Sequence, residues 1–412
     1  MPDLLGFFSL GIITFLTLLI SLRWPSVSKI LFVALFVRIV VLLIGHYLFP
    51  LPDAGADAFR FENRACGYAQ NGFDNILIHY KGPHTYFLSW IISIPYSLFG
   101  RSILMAQSIS LFFGMGSVFF GWLIAKKLWD DNSAKKVGWF LTLFPSLVLY
   151  SVLILREVYC VFFLLLAIYG MINWFKTGSL KFFFLIIFGF VVATFFHGAL
   201  IIGLIIFIII LFFRATANIL KQLKQSKNIK VKIKTLVICL ILVSSSIVLI
   251  NNFIHIPKVG RLVTDAGAFE YILKKTKLHY KGEAKYPAWL TPRNEIEILY
   301  KSPIRIIYFL FSPFPWNINK PSHLIGMFDG LLYFYLVYKI FCNRKLIWAN
   351  PVLRVIFLIL FSYIVVFGIS TGNFGTAIRH RSKFIILFVL LIASSLPKII
   401  FSKKKIENKK TF

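Results

Sequence analysis

A chain of 412 residues that is 58% hydrophobic, with 46 phenylalanines and a mean hydropathy of +0.81, has more apolar surface than a soluble fold can bury. The net charge of +30 invites a nucleic-acid partner, but most of the basic residues sit in short inter-helix loops and the tail, where they set membrane topology instead. Without period-2 alternation there is no outer-membrane barrel, which leaves an all-α polytopic membrane protein whose backbone polar groups are satisfied within each helix.

In chain order, the first apolar run, 4–22, lacks a basic start and a small-residue cleavage site and reads as a retained helix. The second, 30–49, carries Arg38 near its centre, where a lone charge costs roughly 2.5–3.5 kcal/mol and needs a partner inside the bundle. It opens directly into LPDAGADAFRFENRA, residues 51–65, which places Asp53, Asp57 and Glu62 just outside a membrane face. The segment KGPHTYFLSW, 81–90, returns to that face with Lys81 at its entry. Further apolar runs follow at 103–125, 137–154, 158–175, 182–196, 199–213, 235–251, 324–342, 352–370 and 384–396, so about eleven transmembrane helices are expected.

The positive-inside rule puts Lys126, Lys127, Lys135 and Lys136, the 214–234 loop, Arg344 with Lys345, and the lysine tail in the cytoplasm. Two further apolar pieces, 84–98 and 304–316, cannot both cross without moving these clusters outside. They are short and interrupted by Pro95, Pro313 and Pro315, and are read as juxtamembrane or re-entrant helices on the outer face. The expected organisation is an N-terminal membrane module over 1–252 with its first outer loop at 50–83, an outer loop or small cap over 253–303, and C-terminal helices with a basic cytoplasmic tail over 304–412. Cys66, Cys160, Cys239 and Cys342 form no CxxC pair and support neither a disulfide framework nor a metal site.

From Asp57 to about Tyr169 the order of features resembles the bacterial GT-C membrane glycosyltransferases. The relatives in mind are the aminoarabinose transferases, the protein O-mannosyltransferases and the rhizobial core-sugar transferases. Their acidic D-x-x-x-Y-x-x-x-A motif is matched by Asp57, Phe61 and Ala65, with phenylalanine for tyrosine. The K-P-P-x-x-x-W element ending in L-F-G is matched by Lys81-Gly82-Pro83-His84, Trp90 and Leu98-Phe99-Gly100, with Gly82 replacing a proline. Tyr150-Ser151 followed by Arg156-Glu157 stands where the family has Y-S and a later acid, often as Pro-Asp.

The resemblance covers about the first two fifths of the chain. It implies a GT-C-like fold and a polyprenyl-phosphate-linked sugar as donor. The acceptor would be a cell-envelope glycolipid, glycan or protein, on the outer face of a bacterial inner membrane. No cofactor is expected; a divalent metal has no support in the sequence. Such a transfer needs a base for the acceptor hydroxyl and positive charge for the departing lipid phosphate.

Asp57 is the first candidate base, with a helix N-cap for 58–70 as its structural alternative. Asp53 is the reserve, or a turn residue after Pro52. Glu62 is read as structural. The resemblance gives Lys81 the donor phosphate, against the alternative of a snorkelling interfacial lysine. Arg156 and Glu157, between two apolar helices, either face a cavity or neutralise each other. Arg379, His380 and Arg381, a basic cluster on the proposed outer face, suit a lipid phosphate or an anionic headgroup. His197 and His323 have no assigned role.

Two other functions compete. A polysaccharide polymerase would join pyrophosphate-linked repeat units, and a lipid-linked oligosaccharide flippase would show internal repeats and charges deep in several helices.

Overall fold

The structure is a computed structural model that describes residues 2–70, 72–80, 85–224 and 284–397. Lys81, the run 235–251, most of the 252–303 loop and the lysine tail lie outside the described residues.

Among the described residues the fold is helical, with one isolated antiparallel bridge and no strand. The helices are α1 (Pro2–Arg23), α2 (Pro25–Tyr47), α3 (Ala56–Ala69), α4 (Phe73–Ile78), α5 (Phe87–Phe99), α6 (Ile103–Leu128), α7 (Asp131–Leu143), α8 (Pro145–Tyr150) and α9 (Glu157–Thr177). They continue with α10 (Leu180–Phe196), α11 (Ile201–Lys224), α12 (Glu295–Phe311), α13 (Pro321–Cys342), α14 (Arg344–Ala349), α15 (Pro351–Ser370), α16 (Phe374–Ser382) and α17 (Ile385–Leu391).

Their boundaries follow local chemistry. Proline opens α2, α8, α13 and α15, at the one helical position where its missing N–H costs nothing. Ser102, Asp130, Asn294, Asn350 and Asn373 cap the helices that follow them by accepting a backbone N–H. Gly178 (φ 67°) ends α9 in the left-handed conformation.

Among the described residues, seven helices are long and apolar enough to cross a membrane: α1, α2, α6, α9, α11, α13 and α15. This is a multi-pass membrane architecture. Helices α5 and α10 are apolar but shorter. Two of the expected spans take another form. Pro145 breaks 137–154 into α7 and the six-residue α8, followed by a buried non-helical stretch through Leu155. Within 384–396 the helix is only α17, and all seven of its residues are buried among its neighbours.

The helix ends sort into two levels. At one, Lys127 bonds Asn173, Lys136 bonds the Ser394 carbonyl and Asn343 bonds Ser395; the lysine-rich turns lie here. At the other, the C-terminal end of α2, the N-terminal ends of α6, α9 and α13, and the C-terminal end of α15 meet the helices α3, α5 and α16. Both short pieces singled out by the charge rule begin and end at this second level. Helix α5 starts on Phe195 and Phe196 and leads to Arg101, which holds Glu62 of α3. Helix α12 dips until Phe311 packs on Gly330 and Phe334, then 312–320 returns to the surface. It runs unbroken through Pro303, so the end of the outer loop and the start of the C-terminal helices share one element.

Three buried arginines secure this bundle, each by binding the open carbonyls at the end of a helix. Arg38 donates to Leu141 and Thr142 at the end of α7, which is the partner the sequence left unnamed. Arg305 donates to Ile369 and Thr371 at the end of α15, and Arg381 to Phe309, Leu310 and Ser312 at the end of α12. Helix C-termini carry unsatisfied carbonyls and partial negative charge, so a guanidinium satisfies both at once.

Candidate active site

The 51–55 turn links α2 to α3, and its pivot is Asp53, the one described non-glycine residue with positive φ (63°). Aspartate tolerates this left-handed conformation better than most side chains, though at a cost. The turn brings the carboxylate to Tyr150 at the end of α8, whose hydroxyl donates to Asp53 Oδ2 at 2.9 Å. Tyr150 is there because Pro145 restarts the helix. Together they stand at a cavity of about 410 Å³, walled also by Ser146, His323, Gly326, Asp329, Phe374 and Ile378. That volume is in the range of small-molecule sites.

Behind Asp53 lies a charge network drawn from distant parts of the chain. Arg379 of α16 donates to Asp57 Oδ2 at 2.7 Å and lies 3.4 Å from Glu157 Oε1. Lys383 is also 3.4 Å from that Glu157 oxygen and 2.7 Å from Nδ1 of His380, whose ring faces His197. Glu157 and Lys383 are fully enclosed. Arg156 lies with its guanidinium 5.2 Å above the Phe61 ring, and its buried Nε has no hydrogen-bond partner.

Asp53 is itself solvent-exposed, yet the protein packed around its carboxyl desolvates it enough to raise it above its ordinary value, against the lowering effects of Arg379 and the Tyr150 hydrogen bond. Burial lowers Lys383 to about 8, opposed by Glu157. The carboxylates around Arg379 raise its guanidinium above the ordinary value despite burial.

The structure thus brings Asp53, Asp57, Arg156, Glu157, Arg379 and His380 into one region, and separates Arg381 from them. Arg381 is wholly enclosed, with Asp329 Oδ2 at 2.9 Å from Nη2 and carbonyls on its remaining donors, so it has nothing left for a ligand. The alternation along α16 explains this: residues 379 and 381 point to different sides of the helix.

The cap of α3 is Gly55, and Asp57 is in the first turn without a capping bond, where a carboxylate favours the helix dipole. The spacing Asp57, Phe61, Ala65 is one stripe of α3, with Phe61 and Ala65 buried in the core. Glu62 is tied to Arg101 and the Tyr96 hydroxyl, a structural arrangement.

Sequence reading missed two members of the region, Asp329 and Lys383, and noted a third, Tyr150, only as part of a motif. Asp329 was visible as the lone acid of an apolar span, a standard marker of intramembrane function. Lys383 ends the basic cluster and could have been added to it. Tyr150 gives no signal of its role, which depends on the turn at Asp53.

Comparison with known families, with curated protein sequences and with solved structures finds no match for this chain.

Proposed function

We propose that this membrane protein is a glycosyltransferase that moves a sugar from a polyprenyl-phosphate donor to a cell-envelope acceptor. In this reading the cavity end of the bundle faces outward and the lysine-rich end faces the cytoplasm, as the positive-inside rule requires. The observation that carries the proposal is the Asp53 carboxylate, held in a left-handed turn at the cavity, bonded by the Tyr150 hydroxyl and within the electrostatic reach of Arg379.

Asp53 is the better base of the two acids. Asp57 is committed to Arg379 at 2.7 Å on one oxygen and lies 3.8 Å from Arg60 on the other, and it is not among the residues that line the cavity. Asp53 lines the cavity and has a raised proton affinity. In the transfer Asp53 takes the acceptor hydroxyl proton, the acceptor oxygen bonds to the anomeric carbon, and the bond from that carbon to the phosphate oxygen breaks. The lipid phosphate leaves as an anion. In this reading Arg156, whose buried Nε has no hydrogen-bond partner, receives it, while Arg379 holds Asp57 and Glu157.

Mass spectrometry of envelope glycolipids and glycans from cells with and without the gene tests the function. The expected result is a product lacking one sugar in the deletion strain. Single repeat units accumulating in place of long chains would point to a polymerase, and an unchanged envelope would contradict both.

A further inference from the structure

Beside the cavity is a second depression, of about 240 Å³, lined by Lys285, Tyr286, Trp316, Asn317, Asn319 and Phe374. Phe374 is a wall of both, and the backbone at 284–285 passes from one to the other. The two are held in register by main-chain bonds, Phe374 N–H to the Ala284 carbonyl at 2.8 Å and Tyr286 N–H to the Gly372 carbonyl at 3.1 Å.

The notable side chain is Trp316. It is 70% exposed, yet its ring lies on Phe314 at 4.9 Å between centroids and 10° between planes. The turn that presents it is fixed on both sides: Asn317 Oδ1 accepts the Phe314 N–H and the Asn317 N–H donates back to the Phe314 carbonyl. A large aromatic face is therefore rigid before anything binds, which lowers the ordering cost of association.

We infer that this groove is a subsite for the sugar chain of the acceptor, with Trp316 as its stacking platform. A pyranose ring has one face of C–H bonds and a rim of hydroxyls. The first fits a flat indole, and the second fits the carboxamides of Asn317 and Asn319 and the ammonium of Lys285. A hydrocarbon chain would leave those polar groups facing apolar matter. The inference rests on the transferase reading and sharpens it: the acceptor is a glycan of more than one residue, entering along Trp316 and ending at Asp53. Binding remote from the reacting hydroxyl is how such an enzyme would orient it.

The test uses the full-length protein in nanodiscs and short oligosaccharides released from the producing cell's own envelope glycan. Binding is followed by calorimetry for the wild type, Trp316→Ala, Trp316→Phe and Asp53→Asn. Saturable binding is expected, weakened at least about tenfold by Trp316→Ala, largely restored by Trp316→Phe and retained by Asp53→Asn. No binding to the wild type, or equal binding to Trp316→Ala, overturns the subsite. So does quenching of Trp316 by brominated lipid that the oligosaccharide does not relieve, since the ring would then be a membrane anchor. Glycan binding retained by Asp53→Asn together with lost transfer supports both proposals, whereas intact transfer by Asp53→Asn, with binding weakened in Trp316→Ala, would support the subsite and overturn Asp53 as the base.

Discussion

Residue chemistry divides the acids and bases of the cavity end into workers and holders. Asp53→Asn should lower transfer by about 10²–10⁴-fold, the usual worth of a general base, with little change in thermal stability. Asp57→Asn removes two ion pairs of a half-exposed carboxylate, with Arg379 and Arg60, and should cost no more than about 1 kcal/mol of stability, with transfer lowered no more than roughly fivefold. Steady-state rates with matched melting curves distinguish the two.

The pH dependence follows from Asp53. Its carboxyl is raised in the folded protein, so it accepts a proton on acidification before an ordinary aspartate would. Activity should therefore fall on the acid side at a pH above the usual carboxylate range, and the limb should vanish in the residual activity of Asp53→Asn. The same sign means that Asp53 weakens folding as pH rises through its own window, since the folded state there binds more protons. Lys383, lowered to about 8, acts in the opposite sense: between about 8 and its unfolded value near 10.5 the unfolded chain binds more protons, and stability rises with pH.

At the scale of elements the arginine clamps and the closest helix contacts decide stability. Removing one partner of a buried pair leaves an uncompensated charge, so Asp329→Asn or Arg381→Met should each destabilise by about 3–5 kcal/mol, measured by thermal denaturation in detergent. The Arg381→Met, Asp329→Leu double variant should recover part of that loss. Gly189 is a second test. A methyl there would lie 2.6 Å from the Ala167 nitrogen and 2.8 Å from the Phe163 carbonyl, both backbone, so Gly189→Ala should push α10 off α9 and lower the melting temperature.

How much of this was legible in sequence differs by element. Long apolar runs such as 103–125 and 352–370 were plain, because hydrophobic length alone defines a spanning helix. The break inside 137–154 was not. Pro145 ends α7, and Arg38, 103 residues away from Leu141, satisfies the carbonyls left at that end, a contact that no local pattern shows. The acidic run stood out in the sequence, but the placing of its members depends on a left-handed φ at Asp53 and on an arginine 322 residues from Asp57, and neither is encoded locally. Arg379 and Arg381 look alike in sequence; one faces the carboxylates of the site and the other a helix end.

For the whole molecule, the levels seen at the two ends of the bundle give a direct topological expectation. In a cysteine-free background, an impermeant maleimide applied to intact spheroplasts should label Asn63→Cys on exposed α3 and not Lys135→Cys at the opposite end. Reversed labelling would invert the orientation and remove the outer-face reading. The cavity, the network behind it and the groove beside it all belong to the end that carries α3 and α16, so one orientation serves all three.

The most direct test of the central claim is transfer by the purified protein reconstituted in liposomes with polyprenyl-phosphate sugars and the envelope glycan as acceptor. Wild type should release free polyprenyl phosphate in step with sugar incorporated into the glycan, and Asp53→Asn should do neither at more than about a hundredth of that rate. Undiminished transfer by Asp53→Asn, or no transfer by the wild type from any polyprenyl-phosphate sugar of the producing cell, would contradict it.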